Sequence, residues 1–500
     1  MGIPSYFSYI VKNHNKIIQK LERNKRPNNF YLDCNSIVYD VINNAENKIV
    51  ETTPYATILS LVISKIEEYI LFISPMINVY IAFDGVAPFA KLEQQRQRRY
   101  KSWYQNKIHD QLFCESDKRE KKWNTARITP GTDFMKELNV TLYSYFNKTK
   151  AEKYNVSNLI VSGSDKVGEG EHKIFEFVRE NGNQGSTIIY GLDSDLIMLS
   201  LNHLNINPQM YLFREAPHFS MDNLEQGESY LMDIGELSKQ ISIEMNGEVV
   251  DYIFLCFFLG NDFMPHFPSL NIRTGGIDKM MNAYKEISKT SRIRLTDGTR
   301  IFWKHVRSLC AFLAKHEESN LIQEVKLRDK KEGMYKRIEE KTPENKYKKF
   351  ETLPSFEREM EKYINPLYPY WQNRYYETLF SFSSNDKDKK CTVSLNYIEG
   401  LEWNMKYYTS GCPDWKWKYN YHYPPLLVDL LKEIPYFDSQ SPLEVNTPVS
   451  ELFQLYYVLP KNSAYLLPLE LREEKEKEEE EYEFIWCFCK YFWECSVEIK

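Results

Sequence analysis

Apolar residues along the first 275 positions fall into short runs, separated by stretches whose apolar residues recur every three or four positions. The runs are Phe30–Leu32, Ile77–Phe83, Asn158–Val161 and Thr187–Tyr190. Each is followed by a small or acidic residue and then by a helix-like segment. That alternation predicts an α/β fold with a mostly parallel central sheet flanked by helices. Three apolar runs end at an acid: YLD at Asp33, IAFD at Asp84 and IIYGLD at Asp193. Open α/β sheets gather ligands at the carboxyl ends of their strands, so these acids are expected to converge there. Residues 276–350 carry many charges and few strand signals (KLRDKKEGMYKRIEEKTPENKYKK) and read as an extended helical or partly disordered connector. From 351 to 500 the chain is aromatic and proline-punctuated, with WKWKYNYHYPP at 415–425. The acidic run EEKEKEEEEYE at 473–483 reads as a solvated loop or helix face.

Composition narrows the class. The chain has 500 residues, 42% hydrophobic and 27% charged, a globular balance with enough length for one large or two to three ordinary domains. Net charge is −6, which argues against a non-specific coat on nucleic acid but not against an acidic site beside a local basic patch. Aromatics reach 15%, with 36 Tyr, enough to serve stacking surfaces as well as cores. Nine scattered cysteines without a CxxC pair, and no secretory leader, predict reduced thiols in an intracellular protein and no zinc site. No apolar stretch is long enough to predict a membrane span.

The candidate chemistry lies in paired acids. GEGEHK places Glu169 and Glu171 two apart among glycines, which let the backbone approach a neighbour closely. LDSD places Asp193 and Asp195 two apart just after an apolar strand. LGNDF puts Asp262 at the end of the nearly all-apolar YIFLCFFLG, where an unpaired carboxylate would be costly. One such Asp is more often a helix cap or turn residue. Seven together repel one another and are driven to protonate unless cations neutralise them. Oxygen donors with few His or Cys nearby point to two Mg²⁺ ions, for which Mn²⁺ can substitute, rather than to zinc. Two such ions can activate a water and stabilise the leaving oxygen of a phosphodiester. His172 reads as a ligand, as a group supporting one, or as a packing residue at a helix start.

The segment after Asp84, DGVAPFAKLEQQRQRRYKS, puts Lys91, Gln95, Arg98 and Arg99 at i, i+4, i+7 and i+8, one face of a helix. Like charges so stacked disfavour a free helix, and a bound phosphate offsets that cost through forked Arg donors. A solvated basic helix is the alternative.

These residues resemble the eukaryotic 5′→3′ exoribonucleases of the Xrn type. The matching motifs are MGIPSYF, YLDCNSIVY, AFDGVAPFAKLEQQRQRR, ITPGTDFM, GEGEHKI, GLDSDLIML and FLCFFLGNDFMPHFPSL, in the family's order. The stretch YIEGLEWNMKYYTSGCPDWKWKYNYHYPPLLVDL at 397–430 is similar to the family's second conserved region, and LYYVLP…LLP continues it. The resemblance implies a catalytic nuclease region at 1–275, a charged helical connector at 276–350 and a second conserved region at 351–500 that closes the active site. It implies Mg²⁺-dependent, processive hydrolysis of single-stranded RNA from a 5′-monophosphate end to mononucleotides, in mRNA decay or RNA turnover. By motif position Asp33, Asp84, Glu169, Glu171, Asp193, Asp195 and Asp262 take the catalytic and metal-binding roles. Lys91, Gln95, Arg98 and Arg99 take the 5′-phosphate pocket, and Asn35 and His172 support the ligands.

Two departures qualify the match. The family's base-stacking histidine, six residues after the first Asp, is Tyr39 here, so Tyr39 is expected to stack on the terminal base with Trp415 or Trp417 opposite. The chain also stops near the end of the second conserved region, which removes the grounds for partner recruitment through a long tail. A monomer in the cytoplasm is expected, with no basic cluster to decide for or against the nucleus and no membrane association. Two rivals remain at this stage: a flap-type DNA endonuclease of related architecture and an inactive RNA-binding scaffold. The KLEQQRQRR face and the second region argue against the first, and retention of all seven acids argues against the second.

Overall fold

In the computed structural model, residues 2–21, 26–113, 122–215, 228–289, 292–437, 443–477, 482–485, 488–491 and 494–499 are described. A seven-stranded sheet comprises β1 (Ile18–Lys20), β2 (Asn29–Asp33), β3 (Asn78–Ala82), β4 (Asn158–Ser162), β5 (Thr187–Tyr190), β6 (Met210–Glu215) and β7 (Ser229–Asp233). Their order is β1-β7-β6-β5-β2-β3-β4. Strands β2 to β6 pair in parallel, while β7 runs antiparallel to both β6 and β1. The chain moves outward from β2 in one direction to β3 and β4, then returns to β5 on the other side of β2. The gap between β2 and β5 is therefore the topological switch point, where ligands gather in such sheets.

The strands read as unbroken apolar runs because both faces are covered. Phe30, Leu32, Val79, Ile81, Ile188 and Tyr190 enter a core with helices α1 (Asn35–Asn43) and α2 (Tyr55–Ile73). The intervening Tyr31, Tyr80 and Ile189 enter a second core with α4 (Gly170–Asn181) and α5 (Asp195–Asn202). Helix α3 (Phe89–Phe113) leaves the sheet directly after the β3 loop.

The second core runs on without a break into the C-terminal half. There α6 (Trp303–Lys336), α7 (Lys387–Ser410) and α8 (Leu427–Glu433) contribute Val306, Leu309, Leu313, Leu401, Trp403 and Leu430. The charged stretch read as extended helical or partly disordered is largely the end of a 34-residue helix, followed by a second helix, Pro343–Glu351. An apolar stripe under the charges anchors the first, and two of its buried polar groups are paired across to neighbouring elements. Arg328 donates to Glu361 at 2.9 Å, and Glu317 accepts from the Leu427 backbone N–H at 3.0 Å. Of the acidic run at 473–483, the first residues end helix Leu469–Glu476, and 478–481 lie outside the described residues. Cys34, Cys256, Cys310, Cys391, Cys412, Cys489 and Cys495 are free thiols, and Cys114 and Cys487 lie outside the described residues. Among the described residues no helix is long and apolar enough to cross a membrane.

Candidate metal centre and nucleic-acid interface

The parallel register decides where the acids meet. Asp33 ends β2 opposite Ala82 of β3, so Asp84 emerges two residues further along the same edge. Glu169 stands at the N-cap of α4 and Glu171 in its first turn. Asp193 follows β5, and Asp195 opens α5. Carboxylates at helix N-termini face the positive end of the helix dipole, which favours them there. One oxygen each of Asp33, Asp84 and Glu171 lie within 4.8 Å of one another, as do donor atoms of Glu169, Glu171 and His172. Asp262 arrives from the turn after helix Val249–Cys256 and interacts with Asp195.

The crowding shows in the acidities. Burial, then Asp84 and Asp193, push Asp33 well above the usual carboxylate range. Burial, Glu169 and Asp33 do the same to Glu171. Burial and Asp262 raise Asp195 to about 7. Asp262 goes the other way: burial would raise it, but the Lys91 ammonium, together with Arg98 and the other positive charge around it, holds it low. Asp33 is only 6% exposed, and its Oδ1 has no hydrogen-bond partner among the described residues. Buried, repelling oxygen donors with one left unpaired are the chemistry a hard divalent cation satisfies, so the residues fit the cations that the motifs imply.

Several groups hold the acids in place. Asn35 donates to Asp84 Oδ2 at 2.5 Å and accepts from the Asp84 N–H at 3.1 Å. The Gly170 N–H donates to Asp84 Oδ1 at 2.7 Å. The ring of His172 stacks on Tyr407 with centroids 3.7 Å apart, and burial together with Lys91 keeps it neutral. The chain's own second half supplies two donors that sequence reasoning missed. Tyr407 donates to Glu169 Oε1 at 2.6 Å and Tyr408 to Asp195 Oδ1 at 2.9 Å. The only hint was the adjacent tyrosine pair in NMKYYTSG, which does not say what lies across from it.

The basic helix divides its residues. Lys91 reaches the acids themselves, with Nζ 2.7 Å from Glu169 and 2.6 Å from Asp262. Gln94, not Gln95, donates to Asp262 at 3.2 Å. Gln95 is buried, with its Oε1 unpaired among the described residues. Arg99 is half-buried; its guanidinium donates to the Ile128 carbonyl and interacts with Tyr39. Arg98 is exposed and lines a cavity of ≈620 Å³ with Gln97, Lys101, Lys418, His422 and Lys490. Tyr39 is half-buried. Trp417 is not an open face: it is 8% exposed and stacks on Trp403, which in turn stacks on Tyr407. Its ring props the Tyr407–His172 stack. Trp415 is half-buried, and its carbonyl accepts from the Phe89 N–H at the start of α3.

Residues 1–216 match the XRN 5′-3′ exonuclease N-terminus, and residues 242–366 and 367–479 match the Xrn1 helical domain. The chain belongs to the Xrn family. Among Xrn relatives, 5′-3′ exoribonuclease 1 of Schizosaccharomyces pombe is 26% identical over 94% of this chain and 44% of its own length. The figures for 5′-3′ exoribonuclease 2 of Arabidopsis thaliana are 26%, 94% and 62%. For 5′-3′ exoribonuclease 1 of Homo sapiens they are 25%, 94% and 31%. This Xrn chain therefore spans less than two thirds of each. Among solved structures, the catalytic core of Rad2 in complex with DNA substrate is similar over 62% of this chain and 86% of that one, at 14% identity and a TM-score of 0.33.

Proposed function

We propose that this chain is a 5′→3′ exoribonuclease that hydrolyses single-stranded RNA from a 5′-monophosphate end, processively and to mononucleotides, in RNA turnover such as mRNA decay. The observation that carries the reading is the meeting of seven acids at the switch point of the sheet, with Lys91 of the basic helix directly against them. Asp33, Asp84, Glu169, Glu171, Asp193, Asp195 and Asp262 would hold two Mg²⁺ ions, or Mn²⁺ in their place. When bound, such ions supply an activated water and a clamp on the leaving oxygen. Asn35, Tyr407 and Tyr408 would orient ligand carboxylates by each donating to one of their oxygens.

Lys91 sits where a phosphate and the acids share a border, and it supplies charge to either. Arg99, half-buried with its Nε unpaired among the described residues, suits a terminal phosphate, which accepts forked and charge-assisted donors, and Gln95 would offer it the N–H side of its amide. Arg98, Lys101, Lys418 and Lys490 give the adjoining cavity a positive wall for the strand that follows. Tyr39, beside Arg99, would stack on the terminal base. The chain works as a monomer in this reading. Product analysis on RNAs bearing 5′-hydroxyl, monophosphate and triphosphate ends tests it. Mononucleotides from the monophosphate substrate alone are expected; internal cuts, or equal cleavage of all three, would overturn it.

A further inference from the structure

The GEGEHK motif contains a lysine to which the acid cluster gives no role. Lys173 is 3% exposed, and its Nζ donates to two backbone carbonyls, Phe83 and Gly163, each at 2.8 Å. Phe83 immediately precedes Asp84, and Gly163 begins the loop that leads from β4 to Glu169. The Phe83 N–H already pairs with the Ser162 carbonyl at 2.9 Å, which is where the β3–β4 ladder ends. Beyond it the two loops stay paired: the Gly85 N–H donates to Gly168 at 2.9 Å, and the Gly168 N–H to Val86 at 2.8 Å. They lie so close that a side chain at Gly85 would meet the Lys166 carbonyl at 1.7 Å. Lys173, one turn into α4, closes this assembly from beneath.

We propose that Lys173 is a positioning residue for the metal centre, its ammonium fixing the Asp84 loop, the β4–α4 loop and the first turn of α4 relative to one another. The carbonyls at a strand's end have no ladder partner, and buried carbonyls without a donor are costly. One flexible cation with three donors satisfies two of them at once and reports from the same helix that carries Glu169 and Glu171. Without it the loops stay joined through Gly85, Gly168 and the Gly170 N–H on Asp84, but the Phe83 and Gly163 carbonyls lose the shared donor that ties both strand ends to α4. Groups that orient metal ligands typically control affinity by 10–100-fold when removed.

The inference rests on the reading that these acids hold divalent cations, and the test separates the two. Mn²⁺ binding is measured by calorimetry, alongside melting temperature, for the unaltered chain, Lys173→Met, Lys173→Arg and Ile66→Ala. Ile66 lies fully buried in the core on the opposite face of the sheet and controls for general destabilisation. Lys173→Met is expected to bind Mn²⁺ at least about tenfold more weakly at a temperature where it is folded. Lys173→Arg, which keeps a cationic donor, should lose less, and Ile66→Ala should lose melting temperature without losing Mn²⁺. Binding by Lys173→Met within twofold of the unaltered chain overturns the proposal, and so does an equal loss in Ile66→Ala. If Lys173→Met is not recovered folded, Lys173→Arg decides: weaker binding than Ile66→Ala supports the role, and unchanged binding overturns it. An unaltered chain that takes up no Mn²⁺ sinks the metal reading itself before any variant is made.

Discussion

Gly170 has no room for a side chain: a Cβ there would lie 2.5 Å from Asp33 Oδ1 and 3.4 Å from Asp84 Oδ1. The glycine in GEGEHK thus lets a helix N-terminus press directly against two carboxylates, and its N–H is one of the donors. At the same scale, Asp193→Ala is expected to abolish Mg²⁺-dependent hydrolysis while the chain stays folded, because one ligand lost from a two-ion site loosens both clamps. Near-normal turnover by a folded Asp193→Ala protein would remove Asp193 from the centre. Tyr39 carries a sharper prediction than its position in YLDCNSIVY allowed. From stacking alone, Tyr39→Phe should be almost silent. Its hydroxyl, however, lies beside Arg99 and interacts with its charge, and a hydrogen bond to that charged group contributes roughly 1.5–3 kcal/mol where it forms. Tyr39→Phe is therefore expected to raise KM for 5′-monophosphate RNA while leaving 5′-hydroxyl RNA unaffected. Tyr39→Ala should add about 1–3 kcal/mol of lost stacking and shorten processive runs. A Phe variant with unchanged KM would detach the hydroxyl from the pocket.

At the scale of the element, the α3 face shows what periodicity leaves open. Spacing put Lys91, Gln95, Arg98 and Arg99 on one face, and the structure divides that face among the acids, the interior and the cavity. Arg98→Ala with Arg99→Ala is expected to erase the preference for 5′-monophosphate ends. Arg99→Ala alone should account for most of the loss, since Arg98 is exposed and solvent screens its contacts. Discrimination retained by the double variant would place the pocket elsewhere. In α6, burial raises Glu317 to about 8, against an ordinary value of 4.5. An acid raised on folding binds more protons in the folded state than in the unfolded one, so stability falls as pH rises between those values. Melting temperature should decline from pH 5 to 8 in the unaltered chain, and the decline should be shallower in Glu317→Gln, which stays neutral throughout. Parallel profiles would show that Glu317 does not titrate across that range.

For the molecule as a whole, the acids are a source of instability that a bound cation would relieve. Added Mg²⁺ is expected to raise the melting temperature, growing with concentration as binding to the folded state alone requires. Asp193→Ala should respond less. A melting temperature indifferent to Mg²⁺ would argue against resident cations. The same scale shows how the two halves depend on each other. The nuclease half supplies the carboxylates, but Tyr407 and Tyr408, which hold Glu169 and Asp195, come from α7 in the other half. Separated halves would leave those acids without their donors.

Much of this was legible in the chain itself. The runs ending at Asp33, Asp84 and Asp193 already specified parallel strands delivering acids to one edge, because strand period and buried runs are local properties. The motif order marked the family for the same reason. The pairing Lys91–Asp262 spans 171 residues and Tyr407–Glu169 spans 238, and no local period contains them. Nor could composition show that Trp417 would be spent on supporting Tyr407, or that α6 hides an apolar stripe beneath its charges. A sequence specifies which side of an element is apolar and which residues carry charge. Which neighbour faces that side is decided only when the packed core brings distant segments together, and at this site that choice determined which donors hold the acids.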